Sequence, residues 1–409
     1  PPRGVAIVVG GFPGLSEPFI RRGMTALISE GTDVHVFAMA QGRGKLSQRE
    51  QRALAGRVVP SFGRLFIGIA ALRALAATVQ HPEGHRIVQA LLRGDPEYGS
   101  RLRMMARLGM AWLWTAEARR RRIGHVHAHF LSATADVGRW MALLMKTPFT
   151  LSAHGRDLFV SSPPTIRRRV EPAAWIAVCS RAGQDRLRDQ LPRDLPSDRI
   201  RLIPHGLWLE EFPKDWDRRR PPRIAAAGRF VEKKGFAYLI EACQRLASRG
   251  TDFTCTLIGD GPLRADLERR VRTAGLSDRL LLPGAADDPS RVMDLFSQAR
   301  LVAIPSVVAS DGDQDGIPNV ALEAMAAGTP IVAFATGGIP EVVVDRRTGF
   351  LVPPGRVDLL AEAMDVLLKD EAMAHTMGRE GRAEAERRFD VRWEAQALKK
   401  GFDEMGVGA

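Results

Sequence analysis

Along this chain, short apolar runs rich in Val, Ile and Ala alternate with stretches in which apolar residues recur at helical spacing. In the first half, RGVAIVVG, TDVHVFAM, HVHAHF and TPFTLSAH have the first character, bounded by glycine, proline or polar residues. The second half repeats the rhythm more clearly. It reads PRIAAAG, a helix over residues 235 to 248, DFTCTLIG, a helix from residue 262, RLLLPG, a helix near residue 289, RLVAIP, the ALEAMAAG helix and PIVAFA. Strands that are apolar at consecutive positions are buried on both faces, as in a parallel sheet covered by helices on either side. The pattern predicts an α/β chain of two Rossmann-like, doubly wound domains in succession.

Size agrees, because 409 residues exceed what one hydrophobic core usually organises. Residues 209–223, LEEFPKDWDRRRPPR, carry three prolines and mixed charge and read as the hinge. The expected division is residues 1–208, residues 209–385 and a terminal helix over residues 386–409. No uninterrupted apolar run approaches the roughly 18 residues of a spanning helix. The N-terminal PPRGVAIVVGG has no charged region followed by a cleavage site, so the reading is a soluble chain that is not secreted. Cys179, Cys243 and Cys255 are sparse and form no CxxC, which suits buried thiols in a reducing compartment.

Charge changes the picture more than composition does. The chain carries +12 overall, but residues 1–205 hold 31 Lys and Arg against 15 Asp and Glu, leaving 28 against 32 in the remainder. The first half is therefore +16 and the second −4, the footprint of a polyanion or acidic substrate meeting one domain only. Only 6% of residues are aromatic, two of them Tyr, and no RRM, KH or zinc-finger pattern occurs. An anionic membrane surface is expected as the partner, not nucleic acid.

Candidate chemistry gathers after RLVAIPS, in DGDQDGIPNVALEAMAAGTPI. Asp315 falls at the carboxyl end of a strand, where open α/β sheets bind ligands, and Pro318 in the first turn of the next helix. Gly316 permits close backbone approach, while the N–H groups of Ile317, Asn319 and Val320 offer donors to an anion. Glu323 is poorly placed for phosphate and suits sugar hydroxyls. In GRFVEKKGF, Arg229 with Lys233 or Lys234 stands on a strand-to-helix loop where two cations could clamp a diphosphate. Gly259 opens the GDGP turn, and the GGFPG loop with Gly10 and Gly11 ends the first strand. DGDQD has the look of an acidic metal motif but abuts the helix start, so no metal site is expected.

Together LSEPFI (15–20), HAHF (127–130), SAHGRDLF (152–159), IPHG (203–206), GRFVEKKGF, LIGDGP and DGDQDGIPNVALEAMAAGTPIVAFATGGIPEVV resemble retaining glycosyltransferases of family four. The likeness is to bacterial exopolysaccharide enzymes of the colanic acid type and runs over most of the chain. It implies a GT-B fold, two Rossmann-like domains facing a central cleft, with the last helix returning to the first domain. It further implies that Arg229 and Lys234 bind the diphosphate of a UDP- or GDP-sugar and Glu323 its ribose. Asp315 would face the donor hexose, His154 would lie near the reacting carbon, and the Gly10 and Gly11 loop would approach the diphosphate. On this reading His154, Asp315, Arg229 and Lys234 are the catalytic set. Gly10, Gly11, Gly259, Gly316, Ile317, Pro318, Asn319 and Glu323 complete donor binding. Asp315 replaces the family's usual Glu, and Pro18 its usual Thr in SETFI. His205, where Asn is more familiar, reads as structural, and His127 and His129 as packing residues.

In that family the leaving phosphate oxygen takes the acceptor's proton in a front-face displacement, so no dedicated base, metal or other cofactor is called for. The implied acceptor is a lipid-linked saccharide in exopolysaccharide or cell-envelope glycan synthesis, at the inner face of the cytoplasmic membrane. RLRMMARLGMAWLWTAEARRRR (101–122) would support this, with Met104, Met105, Leu108 and Trp112 packed inward. Arg103, Arg107, Trp114 and Arg121 would then face the lipid, and the apolar stretch 64–79, broken by Arg73, would dip into headgroups. A nucleotide-sugar epimerase, a glycolipid mannosyltransferase of the same fold and a non-enzymatic sugar binder are the alternatives.

Overall fold

A computed structural model describes the chain except residues 1–3, 15–16, 60, 62–63, 80–88, 90, 92–99, 193–195, 214–219, 287, 289 and 407–409. Leu15 and Ser16 of the LSEPFI motif therefore lie outside the described residues. The chain divides into two compact units, one of residues 1–179, 183–203 and 394–409, the other of residues 180–182 and 204–393.

The first unit is built on a sheet ordered β3-β2-β1-β4-β5-β6-β7. Its strands are β1 (Gly4–Phe12), β2 (Val34–Gln41), β3 (Val58–Val59), β4 (Ile123–His129), β5 (Phe149–Ala153), β6 (Ile176–Val178) and β7 (Ile200–Leu202). Every pairing is parallel. The order reverses between β1 and β4, which opens a switch point at their carboxyl ends. Gly10 and Gly11 are not in a loop, as the sequence suggested. Pairing with β2 continues through Gly11↔Ala40 and Phe12↔Gln41, so both glycines belong to β1.

The second unit repeats the design as β10-β9-β8-β11-β12-β13, again parallel throughout. These strands are β8 (Arg223–Ala227), β9 (Thr254–Ile258), β10 (Leu280–Gly284), β11 (Leu301–Ile304), β12 (Ile331–Phe334) and β13 (Gly349–Val352). The expected helices appear as Phe236–Ser248, Arg264–Thr273 and Ser290–Gln298. Phe236, Leu239, Ile240, Cys243 and Leu246 recur at helical spacing and are all buried, so one apolar stripe fixes the first of these against the sheet. Gly235 starts it in the left-handed region at φ +63°, where a Cβ would stand 1.8 Å from the Pro305 carbonyl oxygen.

The second compact unit takes up the chain at Pro204, a few residues before the expected hinge 209–223. Leu207, Leu209 and Phe212 bury apolar surface in the second unit's core, which the proline count alone could not reveal. The terminal region also differs in detail from a single helix after residue 385. The helix Glu371–Arg388 ends at Phe389, and a further helix, Val391–Asp403, follows. From Glu394 onward this last helix belongs to the first unit. There Ala395, Leu398 and Phe402 are buried, and the Trp175 indole donates to the Gly401 carbonyl at 3.1 Å.

The lipid-facing role drawn for residues 101–122 is corrected at Trp114, Arg107 and Arg121. Trp114 is fully buried, edge-on to Phe37 with ring centroids 5.5 Å apart, because the helix packs against β4 and two other helices. Arg107 reaches inward to the buried Asp136 at 3.1 Å. Arg121 is held by Glu117 at 2.5 Å and by the Gly56 carbonyl at 2.9 Å.

Candidate functional site

The carboxyl ends of β8 and β11 flank the second unit's switch point, and the loops that leave them carry the candidate donor residues. After β8 the chain runs through Gly228 and Arg229 into a 3-10 turn, Glu232–Lys234. After β11 it runs from Pro305 to Pro318 before the helix Asn319–Ala326. Pro318 occupies the cap of that helix, one position earlier than expected, with extended ψ of 129°. The first N–H groups of a helix have no carbonyl one turn back, so those of Asn319 and Val320 remain available as donors.

On this helix Ala321, Leu322, Ala324, Met325 and Ala326 are buried, while Asn319, Val320 and Glu323 share the more open face. Glu323 is thus presented one turn beyond the free N–H groups, on their own side. The Gly337–Gly338 turn after β12 fixes the approach from below. Gly338 donates to the Gly316 carbonyl at 2.9 Å, and a Cβ on Gly337, at φ +57°, would meet the Asp315 carbonyl oxygen at 2.1 Å. Gly259 has a similar reason to be glycine, since a Cβ there would lie 2.0 Å from the Gly228 carbonyl oxygen.

Asp315 sits between cations, its side chain 10% exposed. Lys234 Nζ donates to its Oδ2 at 2.7 Å, Ser306 Oγ donates to the same oxygen at 3.1 Å, and Lys233 Nζ lies 3.4 Å from Oδ1. Burial pushes the carboxyl up, but Lys234, Lys233 and these hydrogen bonds outweigh it and hold the group below the usual aspartate range. Lys233 also donates to the buried Asp313 at 3.0 Å. The sequence left Lys233 and Lys234 as alternatives, and Ser306 and Asp313 were missed. No periodicity announces them, because their proximity arises from the loop after β11 folding over the 3-10 turn. Arg229, by contrast, is exposed at the mouth of the β8 loop. Among the described residues no group of three or more His, Cys, Asp or Glu side chains could hold a metal ion.

His154 lies in the first unit, directly after β5, and caps the short helix Gly155–Phe159. Its Nε2 is 3.1 Å from His129 Nδ1 at the end of β4, and the two rings stack within 8°. Phe19 and Phe130 pack on it at 5.0 and 4.5 Å. Phe130 takes φ +73°, a strained value for a bulky residue, which turns its ring toward His154. Asp157 ties the two turns together. It accepts from the His154 N–H at 2.9 Å and from the Leu131 N–H, and burial pushes its carboxyl up to about 7 against these bonds. His127 lies deeper, bonded to Thr150 at 2.7 Å and Ser152 at 2.8 Å, a packing residue as expected.

The chain is similar to known proteins. The family described as Glycosyltransferase Family 4 matches residues 17–211, and that described as Glycosyl transferases group 1 matches residues 210–384. The chain is 31% identical over 294 residues to the alpha-D-kanosaminyltransferase of Streptomyces kanamyceticus, covering 65% of this chain and 74% of that relative. Over 199 residues it is 35% identical to the amylovoran biosynthesis glycosyltransferase AmsK of Erwinia amylovora, 48% of each chain. Anabaena Alr3699/HepE, solved in complex with UDP and glucose, superposes with a TM-score of 0.72 at 19% identity, over 98% of this chain and 100% of that one. The chain belongs to the GT-B glycosyltransferases, its two halves being those of family 4 and group 1.

Proposed function

We propose that this glycosyltransferase moves a hexose, with retention of configuration, from a UDP- or GDP-sugar to a lipid-linked saccharide in exopolysaccharide or cell-envelope glycan synthesis. The observation that carries the donor half is the convergence of Lys234, Asp315 and an open helix N-terminus on the switch point between β8 and β11. Breaking a sugar to diphosphate bond gathers negative charge on the leaving group, and fixed cations and N–H dipoles stabilise it. Lys234, Arg229 and the N–H groups of Ile317, Asn319 and Val320 supply them, with Gly316 leaving room for close approach. Glu323 holds the ribose hydroxyls and Asp315 the hexose.

His154, positioned by His129 and Asp157, borders the reacting carbon, and the β1 glycines Gly10 and Gly11 leave space for the diphosphate. A Cβ at Gly10 would meet nothing within 4 Å. The reaction needs no metal on this reading, since Lys233 and Lys234 already engage the carboxylates of Asp313 and Asp315. The exopolysaccharide context is supported by the amylovoran relative, and the UDP-sugar alternative by the ligands of the Anabaena protein. The protein would work at the inner face of the cytoplasmic membrane, attached peripherally.

Calorimetry with UDP, GDP and ADP, with and without magnesium, on the wild type and Glu323→Ala tests the donor site. One nucleotide bound equally well without magnesium, and at least about 10-fold more weakly by the variant, is expected. Binding of none would remove the reading.

A further inference from the structure

Three consecutive residues of the Glu232–Lys234 turn each grip the loop after β11. The Glu232 carboxylate accepts from the Ser310 N–H at 2.9 Å and its hydroxyl at 2.7 Å. Lys233 binds Asp313 through Nζ and accepts from the Val307 N–H at 2.8 Å through its own carbonyl. Lys234 binds Asp315. Loop closure by itself does not explain Lys233. A buried ammonium and carboxylate lose their hydration, and an apolar pair of similar volume often holds a structure at least as well. Yet the Lys233 and Asp313 side chains are only 9% and 6% exposed.

The charge count suggests another role. Asp313 and Asp315 carry two negative charges, Lys233 and Lys234 two positive ones, so the cluster is neutral as it stands. Lys234 is the more open of the two lysines, 16% against 9% exposed. For it to reach a diphosphate it must leave Asp315, whose carboxylate is 10% exposed and would otherwise remain as an uncompensated buried charge. Lys233 already stands 3.4 Å from the other oxygen of that carboxylate.

We propose that Lys233 is a positioning residue, a standing counter-charge that keeps Asp315 compensated while Lys234 exchanges Asp315 for the donor's diphosphate. The exchange makes and breaks only ion pairs. The inference rests on the donor-site reading above and adds to it a residue outside the phosphate contacts.

The test uses the full-length protein with UDP, GDP and the matching nucleosides, uridine and guanosine. Lys233→Met is made together with Asp313→Asn, so that no buried carboxylate is orphaned, and thermal unfolding checks folding. The double variant should bind the preferred nucleoside diphosphate about 10-fold or more weakly and the nucleoside as well as wild type. Lys233→Arg should restore most of the diphosphate affinity. Adding Asp315→Asn to the double variant should also abolish the deficit relative to Asp315→Asn alone, because a neutral amide needs no counter-charge. Parallel loss of diphosphate and nucleoside, or a deficit that persists beside Asp315→Asn, would assign Lys233 a structural role only and overturn the proposal. If Lys234→Met lowers diphosphate affinity while the Lys233 variants do not, the proposal fails and the donor site stands. If the wild type binds neither diphosphate more tightly than its nucleoside, both fail.

Discussion

At the scale of single residues, the second unit's site depends on backbone positions that admit no side chain. Gly337 is the sharpest case, with φ +57° and the Asp315 carbonyl oxygen 2.1 Å from where a Cβ would stand. Gly337→Ala combines left-handed strain with a clash against backbone, so we expect a loss of about 1–3 kcal/mol in thermal or denaturant unfolding. The same variant should weaken nucleoside diphosphate binding, because the displaced group carries Asp315. A stable variant with normal affinity would mean that the 337–338 turn does not fix the loop. The sequence made some of these residues legible and not others. Asp315, Gly316 and Glu323 stand out because a strand, a glycine and a fresh helix follow in order. Lys233 does not, because two adjacent lysines before a glycine look alike until the fold buries one. Trp114 and Arg107 were misplaced for the converse reason. A helical wheel distinguishes two faces but cannot tell that both are covered.

Elements show which physical signals carry furthest. Consecutive apolar runs marked β1, β2, β4 and β5 of the first sheet and β8 to β12 of the second, since burial on two faces leaves no polar alternation to confuse the period, while the short β3, β6, β7 and β13 went unmarked. The strand order, and with it the switch points, follows from crossover handedness and packing that no local run encodes. At the carboxyl end of β4 and β5, those same rules bring His129, His154 and Asp157 together, and burial along these strands creates opposed pH dependences. Burial holds His125 down to about 3 and His127 well below the ordinary range, so both stay neutral. Their folded values lie below the unfolded one, so their contribution to stability weakens as pH falls below about 6.5. Asp157 behaves oppositely. Its folded value of about 7 exceeds the unfolded 3.8, so its contribution declines as pH rises from about 4 to 7. Asp157→Asn removes that decline, and its stability relative to wild type should increase between pH 4 and pH 8 in denaturant titrations. A relative decrease would show that the two N–H donations outweigh burial and keep Asp157 ionised. The terminal helix offers a second check. Phe402 is fully buried against His125, His127 and Trp175, so Phe402→Ala should cost about 3–5 kcal/mol in the unfolding of the first unit.

For the whole molecule the unexplained feature is charge, +16 over residues 1–205 against −4 over the rest. Among the described residues no helix is long and apolar enough to cross a membrane. The helices Arg64–Val79 and Arg101–Arg120 lie side by side in the basic half. They pack so closely that a Cβ on Gly109 would meet the Ile67 carbonyl oxygen at 2.2 Å, yet Ile69, Leu72 and Leu102 are 56%, 67% and 83% exposed. Arg73, Arg101 and Arg103 are exposed on the same two helices. Exposed aliphatic side chains accompanied by arginines suit an anionic interface, where burial of the former adds to attraction of the latter. Trp114 is buried and contributes nothing to this surface. Sedimentation with vesicles containing an anionic phospholipid at low salt should bring the protein down, and neutral vesicles should not. Raising salt toward 0.5 M should release it, since each arginine near the surface contributes about 1 kcal/mol that screening removes. Leu72→Glu with Leu102→Glu should lower partitioning at least about 10-fold without altering nucleotide affinity, because neither leucine is among the donor-binding residues. No binding to anionic vesicles at low salt would leave the basic half to meet an acidic acceptor directly, and the lipid-linked acceptor would lose its physical support.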